Sequence, residues 1–169
     1  MLWGKEKTVE TQQHGMLDES QLSVFYPKIQ EFLNQVNQIV LDKNQQTQLA
    51  LCSLLAGGHI LFEDLPGLGK TTLASSLAHL AGLQFKRIQF TNDMLASDVI
   101  GVNMFNQKEH QFEFKQGPIF TQILLADEIN RCSPKTQSAL LEAMEEGVVT
   151  IDASRYVLPQ PFWVIATQN

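Results

Sequence analysis

The segment Asp64-Leu65-Pro66-Gly67-Leu68-Gly69-Lys70-Thr71-Thr72 constrains this chain more than any other, because of what flanks it. The apolar run His59-Ile60-Leu61-Phe62 precedes it, and the helix-forming run Leu73-Ala74-Ser75-Ser76-Leu77-Ala78 follows. Strand, glycine-rich turn and helix in that order are the setting of a phosphate-binding P-loop. Gly67 and Gly69 let the backbone curl until successive N–H groups point into one concavity at the positive end of the following helix. The expected nucleotide contacts are therefore Pro66, Gly67, Leu68, Gly69, Lys70, Thr71 and Thr72. Lys70 supplies a mobile positive charge for β- and γ-phosphates, and the Thr71 hydroxyl completes the coordination of a Mg2+ ion. Asp64 stands where the general G-x-x-x-x-G-K-[ST] pattern has its first glycine, so its carboxylate must point away from phosphate. The bland alternative is an ordinary glycine-rich turn ahead of a helix.

The rest of the chain bounds what such a turn can serve. Its 169 residues, 44% of them apolar, suffice for one domain with a substantial core. A net charge of -6 argues against a broadly basic nucleic-acid surface. Cys52 and Cys132 are far apart and lack paired spacing, so neither a disulfide framework nor a zinc site is indicated, and a reducing cytoplasmic setting fits. His14, His59, His79 and His110 are scattered and read as surface or packing residues. No stretch has signal-peptide character or membrane-spanning length.

In chain order, residues 1–20 are poor in large apolar side chains and are expected to be a disordered arm, leaving 21–169 as the folded domain. Ile29, Phe32, Leu33, Val36, Ile39 and Val40 recur at helical spacing, in a helix expected to start near Pro27. A second helix is expected after Asp42, stopping at Gly57-Gly58, and the helix after the glycine-rich turn should end at Gly82. Residues 85–90 alternate like a strand, and 94–101 read as a short helix or turn. Val102-Asn103-Met104-Phe105 and Phe112-Glu113-Phe114 read as a hairpin with its loop at 107–110, either a surface cover or a partner-contacting insertion. Pro134 opens a helix through Glu146, with Ala139, Leu140, Ala143 and Met144 inward. Residues 148–151 and 156–158 then suggest a second hairpin, and Phe162-Trp163-Val164-Ile165-Ala166 a buried strand.

Ile123-Leu124-Leu125-Ala126 is a continuous apolar run, as expected of a central parallel strand, and it ends in Asp127 and Glu128. Acids at a strand's carboxyl end face the ligand crevice. Asp127 is placed to hold Mg2+ through its water shell, and Glu128 to orient and deprotonate the water that attacks a γ-phosphate. Paired acids also occur at solvated strand ends. The upstream glycine-rich turn weighs against that, since a Mg2+ nucleotide site needs such a carboxylate.

In this order of motifs the sequence resembles the AAA+ ATPases, and within them the MoxR family. The resemblance is carried by Leu55-Ala56-Gly57-Gly58-His59, Glu63 to Thr71, Arg87-Ile88-Gln89-Phe90-Thr91, Ser97-Asp98-Val99-Ile100-Gly101, Gly117-Pro118-Ile119-Phe120, Leu125 to Arg131, Lys135 to Met144 and Ile165 to Asn169. It covers the chain from about Val36 onward. It implies an α/β P-loop NTPase fold, a three-layer core around a parallel sheet, with an inserted β-hairpin at 102–115. Lys70 and Thr71 become Walker A residues, Asp127 and Glu128 Walker B residues, and Asn169 the sensor-1 residue that positions the attacking water. The sensor-1 strand should lie between the Walker A and Walker B strands. Asp42 stands where the family usually has a glycine near the adenine.

Family members continue past sensor 1 into an arginine finger, a fifth sheet strand and a helical lid with sensor 2, none of which falls within the 169 residues. The core is thus expected to be incomplete at its C-terminal side, with the His59–Phe62 strand at an exposed edge. Turnover by the chain alone is expected to be poor, because arginine fingers contribute about 10³–10⁵ in rate. The resemblance further implies ATP and Mg2+ as ligands, a homo-oligomeric ring, and chaperone-like remodelling or activation of partners, including von Willebrand factor A domain proteins and metal-cofactor insertion. Two other readings stay open: a non-catalytic nucleotide-binding fragment, and a magnesium-chelatase-like motor subunit.

Overall fold

The computed structural model describes residues 19–63 and 69–168. The turn residues 64–68, Asn169 and the arm up to residue 18 lie outside the described residues. Helices α1 (Glu19–Ile39) and α2 (Asn44–Leu55) lead into strand β1 (Ile60–Glu63) and helix α3 (Lys70–Leu80). Then come β2 (Phe85–Gln89), the short helix α4 (Ala96–Ile100) and a hairpin of β3 (Gly101–Asn106) and β4 (Gln111–Gln116). The chain continues through β5 (Ile123–Asp127), α5 (Pro134–Glu146), a second hairpin of β6 (Val148–Ile151) and β7 (Ser154–Val157), and β8 (Trp163–Gln168).

The main sheet is parallel, in the order β1-β8-β5-β2. Its centre is β5 and β8, and period-two alternation sends their side chains into two separate cores. Ile123, Leu125, Trp163 and Ile165 pack with Val36, Val40, Leu73 and Leu77 of the α1 and α3 layer. Leu124, Ala126, Val164 and Ala166 pack with Val99, Leu140 and Ala143 of the α4 and α5 layer. Helices cover both faces, which is why β5 buries every residue and reads as an unbroken apolar run.

Local chemistry sets the element ends. The Ser133 hydroxyl accepts the Thr136 N–H at 3.2 Å, Pro134 fills the first helical position of α5, and Gly147 ends it at φ +66°. Gly101 and Gly117 meet at the root of the first hairpin, where a Cβ would lie 2.4 Å from the Lys115 carbonyl oxygen or 2.2 Å from that of Val99. Any side chain there would force β3 from β4 or the end of β4 from α4. The two hairpins are joined by an Asn103-to-Asp152 hydrogen bond of 2.8 Å and by Phe114 against Tyr156, ring centres 4.0 Å apart.

Two expectations are corrected. Helix α1 begins at Glu19, not near Pro27, which lies inside it. Leu22, Phe25 and Ile29 continue the apolar spacing upstream, and the helix bears the one hydrogen bond that a proline nitrogen cannot make. Glu19 and Ser20 are accordingly helical rather than part of the arm. Asp42 adopts φ +58°. The position demands a left-handed backbone, and Asp is among the few residues besides glycine that tolerate it. Among the described residues no helix is long and apolar enough to cross a membrane.

Candidate functional site

The site grows from three adjacent strand ends. β8, last in the chain, inserts between β1 and β5, pairing Glu63 with Gln168 on one side and Ala126 with Ala166 on the other. Because all three run parallel, the turn leaving β1 and the acids closing β5 emerge at the same end, about 10 Å apart at ordinary strand spacing. β8 thus lies between β1 and β5, the order that the family resemblance led one to expect.

On the phosphate side, Gly69 caps α3 with φ +74°, a left-handed turn that glycine makes without strain. Lys70 is the first residue of α3 and is half-buried, as is Thr71, while Thr72 is exposed. The opening N–H groups of a helix have no intrahelical acceptor, so this turn offers donors and a positive dipole end together. Pro66, Gly67 and Leu68 lie outside the described residues, as does Asn169.

The acid side is built more tightly. Asp127 is only 7% exposed. Its Oδ2 accepts from Arg87 Nε at 2.6 Å across the β2–β5 pairing, and its Oδ1 accepts from the Thr167 hydroxyl at 3.1 Å across β5–β8. Glu128 adopts φ +56°, ψ +46°, a conformation that costs a non-glycine residue about 1–3 kcal/mol. That turn swings its carboxylate off the strand axis, where Arg131 Nη1 donates to Oε2 at 2.7 Å. The Glu128 N–H donates to Thr167 Oγ1 at 3.0 Å, so one threonine hydroxyl engages both acids. A 3₁₀ turn at Ile129–Arg131 follows, pinned by the Cys132 thiol, which donates to the Ile129 carbonyl at 3.3 Å. Burial pushes the Cys132 thiol above its ordinary pKa, which keeps it a donor.

These residues suit a magnesium nucleotide. Each carboxylate oxygen of Asp127 has two lone pairs, so after its protein contacts it retains capacity for water in a metal's shell. Magnesium commonly keeps several waters and takes only one or two protein ligands beside substrate phosphates. Asp127 with Thr71 is such a donor set.

Sequence reasoning singled out Gly69, Lys70, Thr71, Thr72, Asp127 and Glu128, and the strand order brings the elements carrying them to one sheet end. It gave no role to Arg87 or Arg131, and at Thr167-Gln168-Asn169 it expected a polar residue to reach the crevice without saying which; the Gln168 side chain donates to Glu63 Oε1 between the ends of β8 and β1. A polar residue closing the apolar strand run at 162–166 was the available signal for Thr167. His59 is a packing residue: Nδ1 accepts the Val164 N–H at 3.0 Å and Nε2 donates to the Met144 carbonyl at 3.1 Å.

A P-loop-type turn, paired acids and an intervening strand in the order β1-β8-β5-β2 define a nucleotide-hydrolase class of α/β protein. Residues 59–169 match the ATPase family associated with various cellular activities, AAA. The chain belongs to that AAA ATPase family, and within it to the MoxR group. It is 53% identical to the protein YeaC of Bacillus subtilis (strain 168), over 85% of this chain and 45% of that protein. It is 42% identical to Chaperone MoxR1 of Mycobacterium tuberculosis (strain ATCC 25618 / H37Rv), over 80% of this chain and 36% of the relative. A crystal structure of a Cytophaga hutchinsonii ATCC 33406 protein assigned as an ATPase superposes with a TM-score of 0.78 at 46% identity, covering 89% of this chain and 46% of that one. The chain therefore spans less than half the length of these relatives.

Proposed function

We propose that this chain is an ATP-binding and ATP-hydrolysing module whose turnover drives remodelling or activation of a partner protein. The observation that carries the reading is the insertion of β8 between β1 and β5, which sets the Lys70 turn and the Asp127–Glu128 pair at one end of the sheet. Lys70 holds the β- and γ-phosphates, and the first turn of α3 donates N–H groups to them. Asp127 and the Thr71 hydroxyl would hold Mg2+, whose charge would offset that of the phosphates. Glu128 accepts the proton of the attacking water, and Asn169 orients that water. Similarity to Chaperone MoxR1 supports the chaperone-like role, with assembly into a ring and a von Willebrand factor A domain protein as the partner the family resemblance suggests.

Glu128→Gln tests this. The variant should bind a fluorescent ATP analogue with wild-type affinity and lose cleavage in a single-turnover assay by about 100-fold or more. Equal cleavage by both proteins would remove Glu128 from the chemistry. Absence of cleavage by the wild-type chain, with binding intact, would favour the non-catalytic alternative.

A further inference from the structure

We propose that Thr167 is a positioning residue that locks Asp127 and Glu128 into their working arrangement through a single hydroxyl; this rests on the roles given to those acids above. The residue is 3% exposed, so its oxygen has no solvent to exchange with. The hydroxyl has one proton to give and gives it to Asp127 Oδ1 at 3.1 Å. Its lone pair takes the Glu128 N–H at 3.0 Å. Both bonds cross from β8 to the end of β5, and each answers a distinct need.

The bond to Asp127 completes a two-sided clamp. Oδ2 is held from β2 by Arg87, which is half exposed, while Oδ1 is held from β8 by a neutral, buried donor. A hydroxyl fixes the carboxylate's rotation without adding a second positive charge to that of Arg87, so Oδ1 keeps a lone pair for water in a cation's shell. Lysine or arginine at 167 would bring a competing charge. The bond from Glu128 serves the backbone. Glu128 follows the last residue of β5 in a left-handed conformation, with its N–H at the end of the strand's ladder. The Thr167 hydroxyl satisfies that N–H and thereby holds the strained turn that aims the glutamate carboxylate. Valine, which has the same shape, would leave one carboxylate oxygen and one backbone N–H without this partner. Thr167 also adjoins Gln168, whose amide donates to Glu63 at the end of β1. One strand end thus touches both sides of the site.

The test compares Thr167→Val, Thr167→Ser, Asp127→Asn and Glu128→Gln in the full chain, after circular dichroism has established folding. The readouts are the Mg2+ concentration at half-maximal binding of a fluorescent ATP analogue, binding of the same analogue in EDTA, and single-turnover cleavage of ATP. Thr167→Val should raise the Mg2+ midpoint and slow cleavage, each by about 10- to 100-fold, the range for losing a hydrogen bond to a charged group. Binding in EDTA should stay at the wild-type level, because Lys70 and the α3 turn are untouched. Thr167→Ser should restore most of both, since it keeps the hydroxyl. A folded Thr167→Val with wild-type midpoint and rate, or a Thr167→Ser as defective as the valine variant, overturns the proposal. Should the valine variant fail to fold, Thr167→Cys keeps the size with a much weaker donor and is held to the same outcomes. Wild-type behaviour of Asp127→Asn and Glu128→Gln would instead overturn the parent reading and the clamp with it. That pattern is distinct from defective acid variants beside a silent valine.

Discussion

Strand β5 buries all five of its residues between β8 and β2, whereas β1, which leads into the glycine-rich turn, pairs among the described residues with β8 alone and leaves Leu61 48% exposed. The two sides of the candidate site therefore rest on supports of different stiffness. Asp127 is held from both flanks, by Arg87 and by Thr167, and the Glu128 carboxylate by Arg131. The phosphate side hangs on an edge strand, held laterally by β8, by the Gln168-to-Glu63 bond and by His59 at its root.

The contrast is breakable by substitution. Leu125→Ala, in the middle of β5, should cost about 2–5 kcal/mol in urea unfolding, because a fully buried leucine leaves a cavity behind. Leu61→Ala on β1 should cost less than about 1 kcal/mol, being half exposed at an edge. Equal losses would mean that the two strands are equally supported. An effect between these two sharpens the same point. His59→Ala removes the acceptor of the Val164 N–H and the donor to the Met144 carbonyl, and should cost about 1–3 kcal/mol. In hydrogen exchange the loss of protection should concentrate on the pairing of β1 with β8, leaving the β2–β5 pairing as slow as before. Uniform loss across the sheet would show that His59 supports the whole domain and not one edge.

Much of the fold was legible because it obeys local rules. The unbroken apolar run at 123–126 required a strand covered on both faces, and the loop at 107–110 fell between two alternating segments as β3 and β4 confirm. Glycine at 147 and proline at 134 marked the ends of α5. Where local signals competed, the reading slipped: Pro27 has the chemistry of a helix start, yet the apolar spacing upstream carries the helix through it. The site divides similarly. Lys70, Thr71, Asp127 and Glu128 are readable because each stands at a strand or helix end next to a motif. Arg87 and Thr167 reach Asp127 from 40 positions away on either side, so their roles exist only once the sheet has ordered its strands. In sequence, Arg87 looks like an ordinary charged residue of a short strand, and Thr167 like a polar strand terminus.

Convergence on one bound nucleotide is the claim on which the rest depends, and paramagnetic broadening by Mn2+ with ATP measures it in solution. In amide spectra of the full chain, signals of Lys70 and Thr71 and of Asp127 and Glu128 should broaden together when Mn2+ and ATP are both present, while those of Phe105 and Phe112 on the hairpin stay sharp. Broadening confined to one side of the site, or strongest on the hairpin, would contradict it.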